Sequence, residues 1–179
     1  MIYIPAEDSF LLIEQVKKSA SKKKVLDMGA GSGIQSLTAM KAGAKSVLAA
    51  DIDAESIHSL KQQGIPAIRS NLFSKITKTF DLIIFNPPYL PRDTREDKES
   101  QKATTGGKKG DEIIIRFFKQ APNFLNKDGI ILVLLSSLTP KDKILNLLSR
   151  ENLSHAVIAT KKIFMEQLEV WKIERNHNL

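Results

Sequence analysis

At 179 residues the chain fits one domain, with enough length to bury a real core and little left for a second. Its composition, 42% apolar and 26% charged with no repeat or low-complexity stretch, is that of a globular protein and excludes fibrous and disordered classes. The net charge of +7, from 27 basic and 20 acidic side chains, favours an anionic partner such as RNA or a ribosome-associated protein. A single cluster such as Lys22-Lys23-Lys24 is read more simply as the polar lead-in to a strand. The absence of cysteine excludes disulfides and thiolate metal sites, and points to an intracellular, cytoplasmic location. His58, His155 and His177 are scattered without ligand spacing, so no metal is expected. The opening Met-Ile-Tyr-Ile-Pro, with acids soon after, does not read as a signal peptide. The longest apolar run, Gly129 to Leu135, falls far short of the ~20 residues that cross a bilayer and reads as a strand buried on both faces.

In chain order, Ala6 to Lys18 has a helical pattern, with Phe10, Ile13 and Val16 or Lys17 on one face and Pro5 at its start. Lys24 to Met28 is a short strand ending at a glycine cluster, followed by a helix over Ile34 to Lys41 closed by Gly43. A strand over Ser46 to Asp51, a helix over Ala54 to Gln62 and a short strand over Ala67 to Ser70 come next. Phe80 to Phe85 is a fourth strand. A long polar loop, Asn86 to Gly110, leads to a helix from Asp111 to about Phe124. Gly129 to Leu135 is the fifth strand, and Lys141 to Arg150 a helix opened by Pro140. Two last strands, near Ser154–Thr160 and Gln167–Ile173, have no helix between them and suit a hairpin. Strands alternating with helices imply a mostly parallel sheet covered on both faces, with ligands beyond the carboxyl ends of the strands. The chemistry is expected after Met28, Asp51, Ser70 and Phe85.

Asp27-Met28-Gly29-Ala30-Gly31-Ser32-Gly33 follows the first strand. Three alternating glycines permit a tight turn, free of Cβ atoms, where backbone can touch a ligand. A dinucleotide fingerprint would need G-x-G-x-x-G. From Gly29 the last position is Ile34 and from Gly31 it is Ser36, so neither register fits. Asp27 sets the chemistry apart: a carboxylate there would repel a pyrophosphate and attract the α-ammonium of S-adenosylmethionine. Asp51 ends the second strand 18 residues after Gly33, near the acid expected about 20 residues on, whose oxygens accept ribose hydroxyls. Asp53 reads as the cap of the next helix. Asn71, after the third strand, is placed to hydrogen-bond an adenine edge, although alone it would read as a turn residue.

Asn86-Pro87-Pro88-Tyr89 directly follows the apolar strand Phe80–Phe85 and is the sharpest signal. Two prolines stiffen the backbone and leave carbonyls free to accept. The Asn86 side-chain oxygen and the Pro87 carbonyl can each take one hydrogen of a substrate NH2, with Tyr89 stacking on a flat group. An amide or aryl amine nitrogen is a poor nucleophile because its lone pair is delocalised. Two acceptors draw it toward tetrahedral geometry, so positioning and electrostatics supply the catalysis and no strong base is needed.

Asp27–Gly33 together with Asn86–Tyr89 resembles the class I methyltransferases that act on exocyclic amines. Pro5-Ala6-Glu7-Asp8-Ser9 and Gly106-Gly107-Lys108-Lys109-Gly110 narrow the resemblance to the HemK-like glutamine methyltransferases, in their short archaeal and eukaryotic branch. It runs from about Tyr3 to Ile173. It implies a single Rossmann-like domain over residues 1–179: a mostly parallel seven-stranded sheet, an antiparallel C-terminal strand, helices on both faces, and an N-terminal segment 1–20 over the cofactor site. It also implies methylation, with S-adenosylmethionine, of the glutamine in the Gly-Gly-Gln motif of a class I translation release factor, aided by a small zinc-containing activator protein. By matching position Ser9, Asp27, Gly29, Asp51, Asn71, Leu72 and Asn86 would contact the cofactor, within the turn that Gly31 and Gly33 complete. Asn86, Pro87, Pro88 and Tyr89 would hold the glutamine. Asn71 stands where many relatives carry an acid, and Ser9 where threonine is usual. For Glu7 and Asp8 the alternative to a part in this motif is that they simply favour a helix N-terminus through its dipole. The sequence shows no counterpart of the N-terminal helical domain of bacterial HemK enzymes, so substrate docking is expected to depend on the partner. The alternatives are a nucleic-acid methyltransferase acting on a flipped adenine, which the charge favours but no appended binding module supports, and a non-catalytic cofactor-binding protein, against which the intact Asn86–Tyr89 argues.

Overall fold

A computed structural model describes residues 7–88, 111–164 and 166–176. Seven strands, β1 (Lys24–Met28), β2 (Ser46–Asp51), β3 (Ala67–Arg69), β4 (Phe80–Phe85), β5 (Leu125–Ser136), β6 (Leu153–Lys162) and β7 (Gln167–Arg175), form one sheet in the order β3-β2-β1-β4-β5-β7-β6. β3, β2, β1, β4 and β5 run parallel, while β7 runs antiparallel to both β5 and β6. This is the Rossmann-like architecture expected from the sequence, and the last two strands are the hairpin.

Five α-helices lie among the described residues: α1 (Glu7–Ser19), α2 (Ile34–Lys41), α3 (Ala54–Gln62), α4 (Glu112–Phe118) and α5 (Asp142–Arg150). Among those residues no helix is long and apolar enough to cross a membrane. Alternation along the central strands sends successive side chains to opposite faces, and both faces are apolar. Val25, Leu82, Ile84, Leu132 and Leu134 meet Leu12 and Val16 of α1 and Ala39 of α2. On the other face, Leu26, Met28, Ile83, Phe85, Ile131 and Val133 meet Phe117 and Phe118 of α4 and Ile144 and Leu148 of α5. Ile57 and Leu60 of α3 close over Ala49 and Ile65, beside the glycine turn residue Ala30.

Several boundaries differ from the sequence reading, most of them by one or two residues. The helix expected to reach Phe124 ends at Phe118, and Ala121–Phe124 is a short 3-10 turn. Pro122 has no N–H to extend an α-helix and disfavours helical geometry in the residue before it. β5 begins at Leu125, not Gly129, because Asn126-Lys127-Asp128-Gly129 is an irregularity inside the strand: Phe80 pairs with Leu125 and Leu82 with Ile130. A Cβ on Gly129 would lie 2.7 Å from the Leu125 side chain and 3.0 Å from the Asn126 carbonyl oxygen. β3 ends at Arg69 and leaves Ser70 to the following turn.

The heaviest packing sits directly behind the carboxyl ends of the strands. The Phe117 ring stacks on Phe85 at 4.3 Å between centroids and meets Phe73 at 5.4 Å, and Phe73 stacks on Phe124 at 4.7 Å. Phe117 therefore ties the end of β4 to the loop after β3. Phe117→Ala is expected to cost about 3–5 kcal/mol of stability, measured by urea unfolding.

Candidate active site

The chain leaves β1 for β2 and β3 on one side, then returns to place β4 on the other. The strand order thus reverses between β1 and β4, where crevices form in open α/β sheets. The glycine turn after β1 and Asn86-Pro87-Pro88 after β4 both open onto this point. An ideal Cβ on Gly29 would lie 3.6 Å from the Phe85 ring, one residue before Asn86.

Gly29, Gly31 and Gly33 all have positive φ, of 66°, 51° and 82°. The conformation explains Gly29 without a steric clash, whereas Gly33 has a second reason. A Cβ there would fall 2.5 Å from Leu60 and 2.8 Å from Ile65. The Gly29 N–H donates to the Ala50 carbonyl at 2.7 Å, so the turn is laid across the end of β2. The Gly31 N–H donates to Asp51 Oδ2 at 2.8 Å, and the Asp53 N–H donates to Asp51 Oδ1 at 2.9 Å. Each Asp51 oxygen is thus anchored by one backbone donor. A carboxylate offers about four acceptor sites, so each oxygen retains capacity for a ligand hydroxyl. Asp53 caps α3 as expected, accepting from the Ser56 N–H at 2.9 Å.

Asp27 is buried, and its Oδ2 accepts from the Ser36 hydroxyl at 2.6 Å. Burial pushes this carboxyl up to about 7, against the Ser36 hydroxyl and N–H, which favour the charged form, and the Asp51 charge adds to the rise. A buried acid with so high a pKa is short of a cation, and a ligand ammonium would supply one. Ser36 was not singled out in the sequence. Its signal was a polar residue on the first turn of α2 that faces back onto β1.

Ser9 is buried at the start of α1, and its carbonyl accepts from Gln35 Nε2 at 3.0 Å, tying the N-terminal helix to the first turn of α2. Leu72 is buried with φ 48°, inside a turn held by Ser70: its hydroxyl donates to the Leu72 carbonyl at 2.6 Å and accepts from the Lys75 N–H at 3.0 Å. Asn71 is exposed beside it, and its Oδ1 accepts from Arg116 Nη2 of α4 at 3.1 Å. Arg116 too was absent from the sequence reading. Asn86 is half-buried, Pro87 buried and Pro88 half-buried, at the end of the completely apolar half of β4. Tyr89 and the Gly106–Gly110 motif lie outside the described residues. The structure brings Asp27, the glycine turn, Asp51, Asn71, Leu72, Asn86 and Pro87 to one rim of the sheet.

The family model of the methyltransferase small domain matches residues 7–165. A protein of Methanocaldococcus jannaschii, provisionally named a protein N5-glutamine methyltransferase, is 36% identical over 183 residues, covering 96% of this chain and 92% of its own. Methyltransferase HEMK2 of Homo sapiens is 26% identical over 195 residues, covering 98% and 90%. Among solved structures, that of the Mtq2–Trm112 complex of E. cuniculi, responsible for methylation of the eRF1 translation termination factor, matches with a TM-score of 0.80 and 25% identity, covering 98% of this chain and 99% of that one. The rim carries a buried carboxylate on one side and a proline-stiffened loop on the other. The chain belongs to the methyltransferase small domain family and, within it, to the HemK-like N5-glutamine methyltransferases.

Proposed function

We propose that this enzyme transfers a methyl group from S-adenosylmethionine to the side-chain amide nitrogen of a glutamine, that of the Gly-Gly-Gln motif in a class I translation release factor. The observation that carries the proposal is the meeting of Asp27 and the glycine turn with Asn86-Pro87-Pro88 at the β1/β4 reversal. The relatives' names support the glutamine, and the E. cuniculi complex supports the release factor.

The cofactor fits the residues present: Asp27 takes the ammonium, the Cβ-free turn lets backbone approach, and Asp51 keeps acceptor sites for ribose hydroxyls. When bound it supplies an electrophilic sulfonium methyl. The chain's own part is positional. Asn86 Oδ1 and the Pro87 carbonyl accept the two amide hydrogens, which turns the nitrogen lone pair out of the amide plane. Tyr89 stacks against the amide, and the product proton leaves to solvent once the nitrogen has become acidic. Ser9, in the N-terminal segment of the single domain, would contact the cofactor from α1, which the Gln35 bond ties to the first turn of α2.

The activator docks along β3. This strand is three residues long and forms one edge of the sheet, with Pro66 and Arg69 exposed and Ala67 and Ile68 half-buried. Open edges present unpaired backbone groups, and an added strand would complete the ladder. Ile65 is 1% exposed in the chain's own core, so the contact rests on Ala67 and Ile68. A small zinc-containing protein, like the family's activator, is the partner expected.

Three outcomes test these assignments. Asn86→Ala is expected to lower the rate at least ~100-fold on release factor while the fold is retained; turnover near wild type, or methylation of RNA in its place, overturns the mechanism. Ile68→Asp is expected to break co-purification with the activator and leave cofactor binding intact. Because Asp27 must be ionised to hold an ammonium, affinity for S-adenosylmethionine should rise with pH through about 7 and fall by up to about tenfold per unit below it. Titration calorimetry between about pH 5.5 and 7.5, below the cofactor's own amine titration, reads the slope, and Asp27→Asn should bind weakly and flatten it.

A further inference from the structure

The Asn71 side chain is engaged by a cation: Arg116 Nη2 lies 3.1 Å from its Oδ1, across 45 residues of sequence. A guanidinium has donors and no acceptor, so the amide oxygen, and not its nitrogen, must face it. The other end of the amide, the Nδ2 amine, is then the end presented away from Arg116. Both residues are anchored through their backbones. The Asn71 N–H donates to Ser74 Oγ at 3.2 Å inside the Ser70–Lys75 turn, and the Arg116 carbonyl accepts from Gln120 Nε2 at 2.9 Å. Phe117, the next residue, is buried against Phe73 and Phe85 and fixes α4 to this turn.

We infer that Arg116 is a positioning residue that sets the hydrogen-bonding polarity of the adenine site, holding Asn71 so that it donates to the ring rather than accepts from it. This rests on the reading of Asn71 as an adenine contact. An acid at that position reads adenine as an acceptor, through the exocyclic amine. An asparagine could do either, and the choice is made by whatever holds its oxygen. With Arg116 on Oδ1, the oxygen is weakened as an acceptor and the Nδ2 amine strengthened as a donor, and the matching atom on adenine is the unprotonated N1. A hypoxanthine ring, which carries a hydrogen on N1, would oppose donor to donor. The bridge also joins the loop after β3 to the helix that follows the acceptor loop, so one contact aligns the two halves of the site.

The test is calorimetry on the full chain with two probes, S-adenosylhomocysteine and S-inosylhomocysteine. The wild type should favour the adenine form by at least about tenfold. Arg116→Ala frees the amide to turn over and offer its oxygen, so the preference should collapse to within about threefold, largely through weaker adenine binding. Arg116→Lys, which still donates to Oδ1, should keep most of it. A merely structural role would weaken both probes equally and leave their ratio unchanged, and that result overturns the inference. Asn71→Ala separates the premise from the inference. If it leaves the ratio at the wild-type value, Asn71 does not read the base and the premise fails. If it abolishes the preference while Arg116→Ala does not, the adenine contact stands and Arg116 is dismissed.

Discussion

The Asp51 carboxylate accepts from the N–H groups of Gly31 and Asp53, and the shape of the rim hangs on that pair of bonds. Positive φ at three glycines gives the turn after β1 a backbone course that its few small side chains do little to fix, so an acceptor from outside the turn helps to hold its N–H groups. Asp51 provides one from the end of the neighbouring strand, in the same register that lets Ala50 accept from Gly29. The carboxylate that a ligand would meet is therefore also what holds the ligand's cradle open. A charge-assisted bond of this kind is worth about 1.5–3 kcal/mol, enough to order a short loop.

Placing a second acid, Asp27, close behind this carboxylate has a cost that the fold tolerates. It is buried at the end of β1, and the Asp51 charge disfavours its ionisation. Ser36 offsets part of that penalty through a hydroxyl on the first turn of α2. The two acids are thus unlike in character. One is half-buried and holds the turn through two backbone N–H groups; the other is buried and poised between charge states, with its preference decided by what binds.

Much of this was legible in the chain itself. The boundaries of β1, α2, β2, α3 and β4 follow from alternation, glycines and caps, because each is decided by residues next to it. Asp27, Asp51 and Asn86 could be named because they stand at strand ends, where position alone carries meaning. What stayed hidden depends on contacts remote in sequence. Asn126–Gly129 reads as a turn, and only pairing with Phe80 shows it to be an irregularity inside β5. Pro122 was visible, but the helix before it had too apolar a pattern to look finished. The bond from Arg116 to Asn71 spans 45 residues, and an arginine in the last turn of a helix gives no sign of where it reaches. Ile65 precedes a short edge strand, and only the fold shows its side chain packed with Ile57 and Leu60 of α3.

That burial of Ile65 matters beyond β3. Its side chain and that of Leu60 occupy the space where any Cβ on Gly33 would fall, so the last residue of the glycine turn rests directly on the connection leading into the edge strand. One residue separates Ile65 from Ala67, the first residue of β3. The edge of the sheet and the cradle at its centre are therefore mechanically adjacent, joined by two methyl groups and a missing one. Any coupling carried by that contact would be reciprocal by linkage: a ligand in the turn would change the affinity of a partner at the edge by the same factor as the partner changes that of the ligand.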